Sequence, residues 1–126
     1  FGYLDMAWHT STTSIDDAAA FENEAMKGVE MFTPVDGCSM SPQFSHIFSG
    51  GYAAGYYSYK WSEVLDADAF SMFLKNGIFD KKTADSFREN VLMKGGTENP
   101  AELYRRFRGQ DPSIDALLIR DGIKMQ

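Results

Sequence analysis

The chain has 126 residues but only one cysteine, two histidines and four prolines, and these scarcities exclude several kinds of protein. Cys38 alone cannot form an internal disulfide, so nothing demands an oxidising compartment and a cytoplasmic address is expected. The histidines, His9 and His46, head the strings HTSTT and HIFSG. Neither begins HExxH, and no group of His, Cys and carboxylates has metal-ligand spacing. GxSxG, a phosphate loop and CxxC are also missing. Basic residues are scarce: 12 Lys and Arg face 18 Asp and Glu, for a net charge of −6. That balance lacks the basic face a nucleic-acid partner requires and does not favour an anionic membrane. No apolar run approaches the roughly 18 residues of a membrane span. Strand patterns are almost absent as well.

What the chain does have is an ordinary apolar fraction of 44%, enough for one domain with a modest core. It opens Phe1-Gly2-Tyr3-Leu4 without an initiator Met or the basic start of a signal peptide. The expectation is a piece of a longer polypeptide. Residues 1–9 read as the end of a helix already under way. Ser14 suits an N-cap for a helix from Ile15 to about Val29. Ser41 and Pro42 suit the start of a short helix carrying Phe44, His46, Ile47 and Phe48, ended by Gly50-Gly51. A long helix from about Tyr52 to Lys75 should follow, stopped by Asn76-Gly77. Asp80 caps a helix to about Met93, Asn99-Pro100 opens one to Phe107, and Asp111-Pro112 opens the last, to Arg120. The expected fold is all-α, one unit of about six helices.

Aromatic residues make up 14% of the chain, and four of the six tyrosines fall between Tyr52 and Tyr59. On a helix, Tyr52, Tyr56, Tyr59 and Glu63 would lie within about 60° of one another. Ala54, Trp61, Leu65, Phe70 and Phe73 would face the core. A tyrosine stripe can be plain packing, but buried phenols need partners, and three in a row point to a wet cleft. Gly50-Gly51 stands before the stripe, with His46 one turn earlier. Paired glycines permit close backbone approach, and at a helix N-terminus they would offer free N–H groups to an extended peptide or a negative group. The pattern supplies hydrogen-bond donors but no nucleophile, base or metal. His9 reads as a structural histidine, Arg105, Arg106 and Arg108 as ion-pairing surface residues, Asp66 and Asp68 as ion-paired or solvent-facing. Glu63 is a possible partner for a phenol.

The segment FSHIFSGGYAAGYYSYKWSEVLDADAF, Phe44 to Phe70, resembles the C-terminal signature of the thimet oligopeptidase and peptidyl-dipeptidase family of zinc metallopeptidases. LDMAWHT, Leu4 to Thr10, and the stretch from Glu89 to Ile123 are similar to flanking parts of that family, so the resemblance covers residues 1–126 as a C-terminal helical part of the catalytic domain. It implies a zinc site of HExxH plus a distal Glu in preceding sequence, with no metal held by this segment. It further implies a mobile glycine turn at Gly50 and Gly51 that closes on short peptide substrates. His46 then matches a histidine beside the reaction centre, Tyr52 and Tyr59 tyrosines that bind the substrate backbone or oxyanion, and Tyr56 a further tyrosine of the same face. Six steps separate His46 from Tyr52, a spacing similar to the bacterial peptidyl-dipeptidase branch. Zinc-bound water would attack the peptide carbonyl with the family's Glu as base.

Two other readings compete: a non-catalytic helical module that clamps peptides, and a structural domain whose tyrosines pack. If the chain is part of a larger enzyme, its partner is the remainder of that polypeptide. Apolar surface left exposed should then drive self-association.

Overall fold

Leu4, Phe44 and Ile47 come from well-separated parts of the sequence and close the core of the first of two units, residues 1–59. The computed structural model describes residues 1–125, and all regular elements among them are helical. In the first unit, α1 (Gly2–Thr10) and α2 (Ala18–Met26) are followed by a 3₁₀ turn (Ser41–Gln43) and the single turn of α3 (Ser45–Phe48). Trp8 anchors the turn by donating its Nε1–H to Ser41 Oγ at 2.9 Å, and its ring packs 4.4 Å from that of Phe21. Asp17, rather than Ser14, caps α2 by accepting from the Ala20 N–H, and the helix is shorter than expected at both ends. Asp17 stands directly before three helix-favouring alanines, whereas residues 11–17 hold β-branched and polar residues that favour turns.

Glu22 ties α2 to the 3₁₀ turn. Its carboxylate accepts from Ser39 Oγ at 2.8 Å and from the N–H groups of Met40 and Ser41, both at 2.7 Å. Burial pushes its pKa up, but hydrogen bonds from Met40, Ser41 and Ser39 outweigh that and hold it at about 2, below the ordinary 4.5. A carboxyl depressed on folding stabilises fully above its unfolded value and loses that contribution as pH falls. The first unit should therefore lose stability between pH about 4.5 and pH about 2. Glu22→Gln should cost about 2 kcal/mol at neutral pH and flatten this acid limb. Urea unfolding at stepped pH checks both, and an unchanged acid limb would remove Glu22 as its cause.

The second unit begins at Lys60. The helix that runs into it, α4 (Ser58–Asn76), ends at Gly77, whose φ of +112° suits glycine. Asp80 caps α5 (Lys81–Phe87) by accepting from the Thr83 N–H. The chain continues through one π turn (Arg88–Leu92) to α6 (Pro100–Arg108), capped by Asn99 and stopped by Gly109 in the left-handed region. The last helix, α7 (Asp115–Arg120), starts later than Asp111-Pro112 implied. Seven α-helices are thus seen among the described residues.

The buried face of α4 is Val64, Ala67, Asp68 and Ala69, which meets Leu117 of α7 and Tyr104 and Phe107 of α6. Trp61 and Phe70, expected in the core, are about half exposed, and Ala54 is exposed and not helical. Ala67 and Ala69 occupy the buried face, and the rings of Trp61 and Phe70 lie outside it. Leu65 and Phe73 are half-buried against the Tyr104–Phe107 cluster.

Asp68, 1% exposed, lies beneath this cluster. It accepts from Tyr104 Oη at 2.7 Å and from Arg108 Nε at 3.1 Å and Nη at 3.2 Å. Burial and this bond to Asp68 push the Tyr104 phenol far above its ordinary range, so it remains a donor. Arg108 is therefore a partly buried structural cation, paired with a buried carboxylate. Arg105 and Arg106 pair at the surface with Asp111 and Glu98, both at 2.6 Å, and Asp66 pairs with Arg120 at 2.9 Å.

Candidate functional site: a histidine and three tyrosines

Gly50 and Gly51 end α3. The Gly50 N–H donates to the Ser45 carbonyl at 2.9 Å, and the Tyr52 N–H donates to the His46 carbonyl at 3.1 Å. A Cβ at Gly50 would lie 2.9 Å from the His46 Cα and carbonyl oxygen, so the chain can pass this close to His46 only as glycine. Gly51 takes φ +80°, open to glycine without strain.

The expected helix from Tyr52 is not formed. Residues 53–57 run as turns, and α4 begins only at Ser58. The glycine pair is therefore the stop of α3 and not the N-terminus of a long helix, and the Gly50 N–H is already used within the chain. What prevents the helix is visible at Ala54, whose φ is +54°, and in the backbone bonds that close turns from Gly55 to Tyr52 and from Ser58 to Gly55.

The rings nevertheless assemble. The centroids of Tyr52 and Tyr59 lie 5.6 Å apart in a stacked pair, and those of Tyr56 and Tyr59 lie 5.0 Å apart. His46 stands 6.1 Å from Tyr52 and 6.0 Å from Tyr56, ring to ring. Tyr52 is 38% and Tyr59 47% exposed, so this face is open to solvent and not sealed in the core. Tyr56 is partly buried and packs edge-on against Phe44 at 4.9 Å, which makes it the root of the face. Glu63 does not join the stripe but pairs with Lys60 at 2.6 Å.

Tyr52, as a hydrogen-bonding neighbour, raises the Tyr59 phenol above its ordinary pKa of 10.0. The phenol therefore stays protonated at neutral pH and can donate to a developing negative charge. The face offers donors and π surfaces, which suits a carbonyl oxygen and an extended peptide backbone.

Sequence reasoning missed Asp5. Its carboxylate is fully buried and accepts from the Ala54 and Tyr56 N–H groups, each at 2.9 Å. It also meets His9 Nδ1 at 2.9 Å, which gives His9 the structural place expected for it. The only available signal was the i, i+4 spacing of Asp5 and His9 within LDMAWHT.

Zinc does not fit these residues. Among the described residues no three His, Cys, Asp or Glu side chains are grouped to hold a metal ion, His9 is committed to Asp5, and His46 is surrounded by aromatic rings. No described helix is long and apolar enough to cross a membrane.

Comparison with known proteins gives these residues a context. Oligopeptidase A of Escherichia coli is 46% identical over 98% of this chain, and the match covers 18% of that protein. Dipeptidyl carboxypeptidase of Escherichia coli is 36% identical over 97% of the chain, again covering 18% of the relative. Probable cytosolic oligopeptidase A of Arabidopsis thaliana is 39% identical over 98% of the chain. The chain thus spans less than a fifth of the length of these relatives. Residues 1–123 match the family described as Peptidase family M3, and with these identities the chain belongs to that family.

Proposed function

We propose that residues 1–126 form the C-terminal, substrate-gripping part of a zinc-dependent oligopeptidase or peptidyl-dipeptidase that cleaves short peptides. The observation that carries this reading is the solvent-open cluster of His46, Tyr52, Tyr56 and Tyr59 in a chain of this family. Tyr59 and Tyr52 donate hydrogen bonds to the carbonyl oxygen as negative charge develops there, which lowers the barrier because the bonds strengthen toward the transition state. His46 assists from the edge of the same face. Tyr56 and the turn at Gly50 and Gly51 contact the substrate backbone, without the Gly50 N–H, which the Ser45 carbonyl already holds. The metal is held by residues outside this chain, and the donor role of Tyr52 and Tyr59 does not run through it.

The isolated 126-residue chain should therefore bind less than stoichiometric zinc and hydrolyse no peptide, whereas the full-length protein should bind zinc and hydrolyse peptides. Its open apolar rings, including Phe79 at 97% exposure, should make it self-associate. Zinc analysis, a peptide-cleavage assay and sedimentation test this division of labour. Stoichiometric zinc with turnover, or a strictly monomeric two-state domain, would contradict it.

A further inference from the structure

We propose that Asp5 is the positioning residue of the tyrosine face, an inference that rests on the role assigned above to Tyr52 and Tyr59. Asp5 is 0% exposed, so it cannot touch a substrate. Its Oδ1 accepts from the Ala54 N–H and its Oδ2 from the Tyr56 N–H, each at 2.9 Å. These two N–H groups flank Gly55, at the centre of the turn that replaces the expected helix. Ala54 is the one non-glycine residue with positive φ among the described residues. An L-residue in that conformation is disfavoured and persists only where its surroundings over-determine it.

The Asp5 carboxylate supplies that constraint. It holds the N–H of the strained residue and the N–H of Tyr56 at once, and so sets the course of the chain between Tyr52 and Tyr59. His9 fixes the carboxylate in turn. Its Nδ1 lies 2.9 Å from Asp5 Oδ1 and 2.8 Å from the Asp5 carbonyl oxygen one helical turn back. α1 thereby presents a preoriented, buried anion to a turn about fifty residues further on. Without the anion, the preference of Ala54 for ordinary φ would pull Tyr52 away from Tyr59, and two donors aimed at one oxygen would no longer converge.

The test uses the full-length protein. Asp5→Asn keeps the shape but replaces one acceptor with a donor that faces an N–H. It should lower kcat/KM by about 10²-fold, the scale of a roughly 1 Å misplacement, with the loss in kcat and little change in KM. In a Tyr52→Phe/Tyr59→Phe background the same change should cost far less, because the groups it positions are gone. An undiminished loss there would show that Asp5 acts on general stability and would overturn the proposal.

Hydrogen exchange of the wild-type protein needs no variant to fold. The amides of Ala54 and Tyr56 should exchange slowly although neither residue is helical, in contrast to the exposed stretch 30–36. Exchange as fast as in that stretch would also overturn the proposal. If instead Tyr52→Phe/Tyr59→Phe leaves turnover intact while Ala54 and Tyr56 stay protected, the catalytic reading of the tyrosines falls and the Asp5 clamp stands.

Discussion

Tyr59→Phe in the full-length protein is expected to lower kcat/KM by roughly 10²–10³-fold, or about 2.7–4 kcal/mol of transition-state stabilisation. The change removes one hydroxyl and leaves the ring. Tyr59 stacks on Tyr52 and contacts Tyr56 through its ring, so the face should keep its shape. Most of the loss should appear in kcat, because a ground-state carbonyl accepts a weaker bond than the oxyanion that replaces it. Tyr56→Phe should cost less, because Tyr56 is partly buried against Phe44 and contributes mainly its ring. Steady-state kinetics on a short peptide check the order. If the two variants lost equal activity, Tyr59 would have no special claim as donor.

The second large effect concerns stability. Arg108→Ala leaves the Asp68 carboxylate buried with only the Tyr104 hydroxyl and no cation. Breaking a buried pair from one side typically costs about 3–5 kcal/mol, and the second unit should lose stability on that scale. The double change Asp68→Leu/Arg108→Met removes the charge as well as its partner and should be much less damaging. Urea unfolding followed by tyrosine and tryptophan fluorescence reports both. A single variant no worse than the double one would mean that the pair contributes packing alone.

Much of the second unit was legible because its signals are local. Asn76-Gly77, Asp80 and Asn99-Pro100 act within one helical turn, and each does so where expected. The first unit depends on partners distant in sequence. Glu22 holds Ser39 to Ser41, and Asp5 holds Ala54 and Tyr56. No propensity or periodicity marks such bonds, so the turn at 53–57 reads as helix from its sequence. Tyr52, Tyr56 and Tyr59 come together all the same, although the proposed reason, a shared helical face, does not hold for them. The exposure of Trp61 and Phe70 was likewise not legible, since an aromatic ring at helical spacing reads as core whether or not a partner covers it.

The most direct measurement compares how wild-type and Tyr59→Phe full-length protein bind two peptides of one sequence, one with an uncleavable ordinary backbone and one with a tetrahedral phosphinate at the scissile position. A phosphinate oxygen stands in for the oxyanion that the Tyr59 hydroxyl would meet. The variant should lose affinity for the phosphinate by the same factor as kcat/KM and keep its affinity for the ordinary peptide. Equal losses for both ligands, or none for the phosphinate, would contradict the donor role of Tyr59.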